Sequence, residues 1–309
     1  MAFYEEQSMN AHNHQQTVSA CLRATRCRLL FLFVLITFTT GILAATADNA
    51  TSPDTIAFGV VPQQSASKLA RLWSPFFEHL STVTGYRIEF KTAPDIPEFE
   101  RRLANGEYDM AYMNPYHYTV FHEHPGYQAF AREKDKLLKG ILVVRTDSTY
   151  KDLEELSGKT LAFPSPAAFA ASMITRASLQ NRSIPFEAKY VSSHDSVYRS
   201  VAKGLYPAGG GVIRTFNNLE DDIRKQLRIL WISPGYTPHA FAAHPRLEGA
   251  VITAIQTGMV QLDQTAEGRA LLENLELNGI TQANDEEWND IRSLHLQSPD
   301  NLTPAASRQ

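Results

Sequence analysis

The segment Gly106-Glu-Tyr-Asp-Met-Ala-Tyr-Met-Asn-Pro-Tyr-His-Tyr118 predicts a strand followed at once by a helix. Residues 108–113 are mostly apolar, which is typical of a strand buried on both faces. Residues 116–122 favour a helix, and an Asn-Pro pair lies between the two elements. A strand that leads directly into a helix is the unit from which α/β folds are built.

The same alternation extends on both sides of this segment. Upstream, residues 55–61 predict a buried strand, and residues 67–84 predict a helix that ends at Gly85. Downstream, the pattern restarts near Thr160, and beyond Pro245 the signals are mainly helical. The other predicted strands are 87–91, 127–132, 140–145, 160–163, 189–191, 210–213 and 228–232, and the other predicted helices are 97–103, 168–179, 194–203 and 218–226. Strands separated by helix-length segments indicate mostly parallel sheets covered on both faces.

The two runs of alternating elements predict two lobes. The chain is expected to cross to the second lobe near Lys139-Gly-Ile141 and to return near Trp231-Ile-Ser233, so that two hinge strands lie side by side. Lobe one then comprises residues 48–139 plus 234–309, and lobe two comprises residues 140–233. In α/β lobes of this kind, ligands bind outside the carboxyl ends of the strands, near helix N-termini.

The predicted strand ends therefore contain the candidate ligand-binding residues. They lie in residues 61–65, 113–116, 164–169, 191–194 and 213–216. Amide, hydroxyl, imidazole and guanidinium groups can bond a polar ligand there, and tyrosine rings can line a cleft. The candidates are Gln63, Gln64, Tyr112, Asn114, Tyr116, Ser165, His194 and Arg214, together with His239 just after the return hinge. Plainer alternatives stay open, such as core packing for the tyrosines and a place at a helix start for His194 and Ser165.

The first 47 residues predict a secretory signal peptide. Arg23, Arg26 and Arg28 precede the apolar run 29–36, and the small residues Ala45-Thr-Ala47 follow it. Positive, apolar and small-residue parts in this order are typical of exported proteins. The alternative is a retained membrane anchor, but a membrane span needs about 20 apolar residues, more than this run provides. We expect cleavage near Ala47.

Composition and motifs exclude several classes of function. The formal net charge is −4, so the chain lacks the basic surface of a nucleic-acid binder. Cys21 and Cys27 both precede the predicted cleavage site, which leaves the mature chain without a disulfide, a thiol nucleophile or a cysteine metal ligand. No Gly-x-Ser-x-Gly motif occurs, and Leu153 replaces the first glycine of a P-loop. No enzymatic activity, metal or cofactor is therefore expected.

Five segments together resemble the phosphate/phosphite/phosphonate-type (PhnD-like) periplasmic solute-binding proteins of ABC transporters. The segments are 59–62, 106–118, 156–163, 193–204 and 233–234, in this order along the chain. The resemblance extends over roughly residues 56–247. It implies a type II periplasmic binding protein fold, in which two Rossmann-like lobes are joined by two hinge strands. It also implies a small-molecule ligand and an ABC permease in the inner membrane as the partner.

Two places depart from the pattern of the members that bind phosphonates. Their anion-binding Ser-Thr-Ser-like cluster matches Ala168-Phe-Ala170 here, and an acidic residue matches Pro207. The backbone N–H groups of Ala168, Phe169 and Ala170 stay candidate donors, because the helix dipole does not depend on side chains. Simple alkylphosphonates are expected to bind poorly. The ligand is expected to be a small oxyanion reached by His194, or to carry an apolar or planar part beside its charge.

These observations predict a periplasmic solute-binding protein that captures a phosphate-like, phosphonate-like or other oxyanion for an ABC importer. A periplasmic sensing subunit that docks on a membrane histidine kinase is the first alternative. An enzyme is the second alternative, although no motif supports it. The chain is expected in the periplasm, either free after cleavage near Ala47 or held by its N-terminal segment as an anchor.

Overall fold

Two β-sheets, each flanked by helices, make up residues 55–296, the part of the chain that the computed structural model describes. The predicted signal peptide and its cleavage site lie outside the described residues. The strands are β1 (Ile56–Val60), β2 (Ile88–Lys91), β3 (Met110–Met113), β4 (Gln128–Glu133), β5 (Gly140–Arg145), β6 (Lys159–Phe163), β7 (Phe186–Tyr190), β8 (Ala208–Val212), β9 (Leu227–Ile232), β10 (Ala240–Ala243) and β11 (Ile280–Gln282).

Helices connect most of these strands. They are α1 (Ala66–Thr84), α2 (Ile96–Ala104), α3 (Pro115–Glu123), α4 (Thr175–Asn181), α5 (His194–Ala202), α6 (Ile213–Asn217), α7 (Asp221–Arg224), α8 (Gly249–Val260), α9 (Ala266–Asn274) and α10 (Asn289–Arg292). A π-helix (Phe169–Ile174) precedes α4, and 3₁₀ turns lie at Glu154–Leu156, Leu262–Gln264 and Asp285–Trp288. Within residues 55–296, no helix is both long enough and apolar enough to cross a membrane.

The first lobe is built on a six-stranded sheet with the order β11–β4–β10–β3–β1–β2. β1 pairs in parallel with β2 and β3, whereas β10 and β11 run antiparallel to their neighbours. The core between α1 and this sheet is aromatic. Trp73 and Phe77 of α1 contact Phe58 and Phe241 of the sheet, and the Phe58 and Phe77 ring centroids are 4.7 Å apart. These rings bury large apolar areas and hold α1 against the strands whose ends form the cleft.

The second lobe is built on a five-stranded sheet with the order β7–β6–β8–β5–β9. β6 is parallel to β7 and β8, and β5 is antiparallel to β8 and β9. Two glycines let the π-helix lie directly on this sheet. A Cβ atom at Gly210 would be 1.9 Å from the Ala171 carbonyl oxygen, and one at Gly140 would be 2.2 Å from the Ala170 oxygen.

The chain passes between the lobes along two adjacent segments. Leu138 and Tyr236 form an isolated antiparallel bridge, with N···O distances of 2.8 and 2.9 Å. The Gly140 N–H donates to Ser233 Oγ at 2.9 Å, and the Ser233 N–H donates to the Gly140 carbonyl at 2.9 Å. The predicted α/β architecture of two lobes joined by two strands is confirmed.

Most strands of each sheet run in one direction, but both sheets are mixed, because β10 and β11 in the first lobe and β5 in the second run the opposite way. Two strands near the C-terminal end were also missed. β10 has the sequence Ala-Phe-Ala-Ala, which is short and rich in alanine, a residue depleted in strands. β11 has only three residues and lies at the edge of its sheet, where a short segment carries a weak signal.

Two predicted elements of the second lobe have different bounds. Within the range of the helix expected at 218–226 the structure has only the short helix α7, and α6 lies before this range, at Ile213–Asn217. β8 ends at Val212, so Arg214 lies on α6 rather than directly at a strand end. The Thr215 hydroxyl bonds the Val212 carbonyl at 3.1 Å, a local contact that supports this early helix start.

Candidate ligand-binding site

The strand ends of the two lobes meet around a small buried cavity. Its volume is about 10 Å³, which is room for about one water molecule. Seven predicted candidates line it: Gln63, Asn114, Ala168, Phe169, Ala170, His194 and His239. The remaining lining residues are apolar: Val61, Ile96, Leu138, Ala171 and Val212. The cavity is therefore mostly apolar, with four polar side chains contributed by both lobes.

His194 is the polar side chain that lobe two contributes to the cavity. It is the first residue of α5 and only 2% exposed. Its Nδ1 lies 3.1 Å from Thr215 Oγ1, so Nε2 is the ring nitrogen that can reach a ligand. Burial lowers the pKa of His194 from 6.5 to about 3, and the ring is neutral at pH 7. The backbone N–H of His194 donates to the Gln63 carbonyl of lobe one at 3.0 Å.

His239 approaches the same cavity from lobe one. Its ring stacks on Tyr112, with centroids 4.9 Å apart and planes 18° apart. The Gln63 side-chain amide nitrogen lies 3.1 Å from His239 Nε2, so Nε2 accepts and Nδ1 carries the proton. Burial lowers the pKa of His239 well below 6.5, and the positive charge of Arg214 lowers it further. The Nδ1 atom is buried without a partner among the described residues, which leaves it as a donor for a ligand.

Asn114 links the two lobes at the back of the cavity. As the N-cap residue of α3, it accepts from the His117 N–H at 2.8 Å through Oδ1. Its Nδ2 donates to the Ala167 carbonyl of lobe two at 3.0 Å. Behind it, His117 Nε2 lies 2.9 Å from Glu100 Oε1 in a buried pair. Asn114 therefore caps a helix and bridges the lobes at once.

The predicted helix at 168–179 begins as a π-helix. The Ser172 and Met173 N–H groups both donate to the Ala168 carbonyl, at 2.7 and 3.3 Å. The N–H groups of residues 169–171 therefore precede the first intrahelical bonds, as at any helix N-terminus. Phe169 packs edge-on against Tyr236, with centroids 5.5 Å apart. Short π-helical segments are frequent at functional sites.

A second cavity adjoins the first and shares Val61 and Gln63 with it. Its volume is about 30 Å³. The candidates Gln64, Tyr112 and Arg214 line this second cavity instead of the first. Gln64 Nε2 and Arg214 Nε are buried without partners among the described residues.

Two candidates line neither cavity. Tyr116 is buried on α3, and its carbonyl accepts from the Thr119 hydroxyl at 2.9 Å. Ser165 is buried on the loop after β6, and its carbonyl accepts from the Ala168 N–H at 3.2 Å. The structure thus separates these two side chains from the site that the other candidates form.

The sequence analysis missed Glu133 and Thr215. Thr215 is buried and lies 3.1 Å from His194 Nδ1. It falls in the predicted strand end 213–216, but only Arg214 was selected from that segment. Glu133 is buried at the end of β4, where it contacts Arg214. Glu133 directly follows the predicted strand 127–132, but this strand end was not among the five segments from which candidates were taken.

Two α/β lobes on two adjacent connecting strands, with side chains from both lobes around a buried cavity, define a binding protein of the type II periplasmic class. A family model described as "ABC transporter, phosphonate, periplasmic substrate-binding protein" matches residues 58–288, and the chain belongs to this family. It is a substrate-binding component of ABC import, as predicted. The alternative role as a sensor subunit is not favoured.

The chain is also similar to individual members of the family. The phosphate-import protein PhnD of Mycolicibacterium smegmatis is 22% identical over 241 residues, which are 68% of this chain and 72% of the relative. The binding-protein component of an ABC phosphonate transporter from Pseudomonas aeruginosa aligns with a TM-score of 0.72 and 18% identity, covering 78% of this chain and 85% of that one. PhnD1 of Prochlorococcus marinus, in complex with methylphosphonate, aligns with a TM-score of 0.72 and 17% identity, covering 79% and 97%. These structural likenesses establish the type II fold.

Proposed function

We propose that this protein binds a small oxyanion of the phosphate or phosphonate class between its lobes and delivers it to an ABC permease. The observation that carries the proposal is the cavity itself. Neutral donors from both lobes and the N-terminus of the π-helix converge there. The family relatives named for phosphate import and crystallised with methylphosphonate support the same class of ligand.

Recognition in this cavity rests on hydrogen bonds rather than ion pairs. His194 and His239 are both neutral because of burial, and Arg214 lies at the second cavity. The donors are His239 Nδ1 and the N–H groups at the start of the π-helix. The Thr215 hydroxyl donates to the Val212 carbonyl, so His194 Nδ1 donates to Thr215 Oγ1 and Nε2 is left to accept from a protonated oxygen of the ligand. A hydrogen bond to a charged group contributes about 1.5–3 kcal/mol, so the loss of one such bond should weaken binding about tenfold or more.

The size of the cavity favours a small ligand. A cavity of about 10 Å³ holds about one water molecule, so an oxyanion with five heavy atoms needs some separation of the lobes. Methylphosphonate also has five heavy atoms, but a methyl group replaces one oxygen, so one hydrogen-bonding atom is lost. We therefore expect inorganic phosphate to bind more tightly than methylphosphonate.

The proposal includes export and hinge motion. A leader of residues 1–47 is removed near Ala47, and the mature protein is released to the periplasm. Residues 48–139 with 234–309 move as one lobe and residues 140–233 as the other, about the strands near Gly140 and Trp231. Solution scattering tests the motion: saturating ligand should reduce the radius of gyration, and an unchanged value would contradict the hinge.

Calorimetry with inorganic phosphate, methylphosphonate and sulfate tests the ligand. His194→Ala should weaken phosphate binding at least tenfold, whereas His124→Ala, at an exposed site on lobe one, should leave it unchanged. Adding hydroxyls with Ala168→Ser and Ala170→Ser should raise the affinity for methylphosphonate. Tight methylphosphonate binding that His194→Ala does not affect would show that the ligand lies elsewhere.

A further inference from the structure

Arg214 of lobe two makes two contacts with lobe one. Its Nη1 donates to the Tyr112 hydroxyl at 2.5 Å, and its Nη2 donates to Glu133 Oε2 at 2.5 Å. The Glu133 side chain is 1% exposed and that of Arg214 is 15% exposed, so the ion pair is largely shielded from water. The two residues are 81 positions apart in the chain.

The contacts of the other Glu133 oxygen all lie within lobe one. Oε1 is 3.2 Å from Lys136 Nζ and accepts from the Asn278 N–H at 3.3 Å. Lobe one therefore retains a partner for this carboxylate whether or not Arg214 is present. Arg214, in contrast, has Glu133 as its only ion-pair partner among the described residues.

We propose that Glu133 is a built-in counter-ion for Arg214, and that this pair positions the two lobes for closure. Arg214 then acts as a positioning residue and does not neutralise the charge of the ligand. The inference rests on the proposed closure of the lobes but not on the identity of the ligand.

The energetic reason lies in the difference between closed and open forms. In the closed form, the guanidinium is removed from water and compensated by a carboxylate. Replacing that carboxylate with an amide leaves a poorly compensated charge there, which is strongly unfavourable in shielded surroundings. Opening of the lobes returns Arg214 to water and relieves that penalty. A neutral residue at position 133 should therefore shift the equilibrium toward the open form.

A distance measurement between the lobes tests this role without any added ligand. The mature chain contains no cysteine, so spin labels at Val83→Cys in lobe one and Leu205→Cys in lobe two report only the interlobe distance. Both native side chains are exposed, at 54% and 68%. Glu133→Gln should reduce the ratio of closed to open molecules at least tenfold, which corresponds to about 1.4 kcal/mol.

Matched variants separate positioning from general stability. Glu287→Gln removes the ion pair between Glu287 and Arg132. Arg132 is the neighbour of Glu133 in the chain, but both members of this pair belong to lobe one, so the distance distribution should stay unchanged. Arg214→Gln should open the lobes as Glu133→Gln does, and it covers the case in which the latter fails to fold. Arg214→Lys keeps the positive charge, so most of the closed population that is lost in Arg214→Gln should be present in this variant.

Two results would overturn the inference. One is a Glu133→Gln distribution that coincides with that of the parent protein. The other is an equal shift in Glu287→Gln. If phosphate and methylphosphonate both fail to bind in the calorimeter, the proposed ligand is wrong, but the distance measurement retains its meaning because no ligand is added.

Discussion

The buried state of His194 predicts how the stability of this protein depends on pH. Burial holds the pKa of His194 in the folded protein at about 3, whereas the same side chain has the ordinary pKa of 6.5 in the unfolded chain. Below pH 6.5 the unfolded chain binds a proton that the folded protein does not bind. The stability that neutral His194 contributes is therefore fully present above pH 6.5 and is lost progressively as the pH falls toward 3.

The magnitude follows from the two pKa values. Each pH unit in this window lowers the free energy of unfolding by about 1.4 kcal/mol, so at pH 5 the loss amounts to about 2 kcal/mol. For a chain of this size, that loss lowers the melting temperature by about 4–8 °C. His194→Gln keeps a polar side chain beside Thr215 but cannot bind the proton.

Urea denaturation of both proteins between pH 7.5 and 5 measures the effect. The parent protein should lose about 2 kcal/mol more than His194→Gln over this range. His239→Gln serves as a second variant, because burial also lowers the pKa of His239 well below 6.5. Parallel pH profiles for the parent and His194→Gln would refute the reasoning, since they would show that His194 titrates equally in folded and unfolded protein.

Three further predictions concern packing, the lobe contact and export. Gly210→Ala should lower the free energy of unfolding, measured with urea, by about 1–3 kcal/mol, because the new methyl group meets a backbone carbonyl of the π-helix. The control is Gly249→Ala, which should have no such cost because a Cβ atom there has nothing within 4 Å. Asn114→Ala should lower the free energy of unfolding by about 1 kcal/mol, because the cap of α3 is lost. It should also lengthen the interlobe distance, because the hydrogen bond to the Ala167 carbonyl is lost. An unchanged distance would assign Asn114 to capping alone. N-terminal sequencing of periplasmic protein should begin near Asp48, and a leader found intact in the membrane fraction would contradict cleavage.

The alternation of strands and helices could be predicted because it is encoded locally. Continuous apolar runs marked β1 and β3, and helical spacing of leucines and aromatics marked α1. Strand ends, the return hinge and the family pattern gave twelve candidate residues, and ten of them line one of the two cavities. β10 escaped detection because it has only four residues and three of them are alanine, which is depleted in strands.

The site was predicted less completely than the fold. The rule that ligands bind at strand ends selects loops, but it does not state which way a side chain points or which neighbour it meets. Tyr116, at the start of α3, and Ser165, on the loop after β6, lie near the expected strand ends and still line neither cavity. Arg214 was named as a candidate because its guanidinium could bond a ligand, and the rule does not show that its guanidinium meets the Glu133 carboxylate.

By itself, the sequence determined the class of fold, the family resemblance and the strand ends around which a ligand site forms, since these depend on periodicity and on short motifs. Only the tertiary structure decided the pairings across those loops. His194 meets Thr215 from 21 positions away, and Arg214 meets Glu133 from 81 positions away. The reason is that these contacts form when separate elements pack together and exclude water, and the same packing sets both the charge state of His194 and the partner of Arg214.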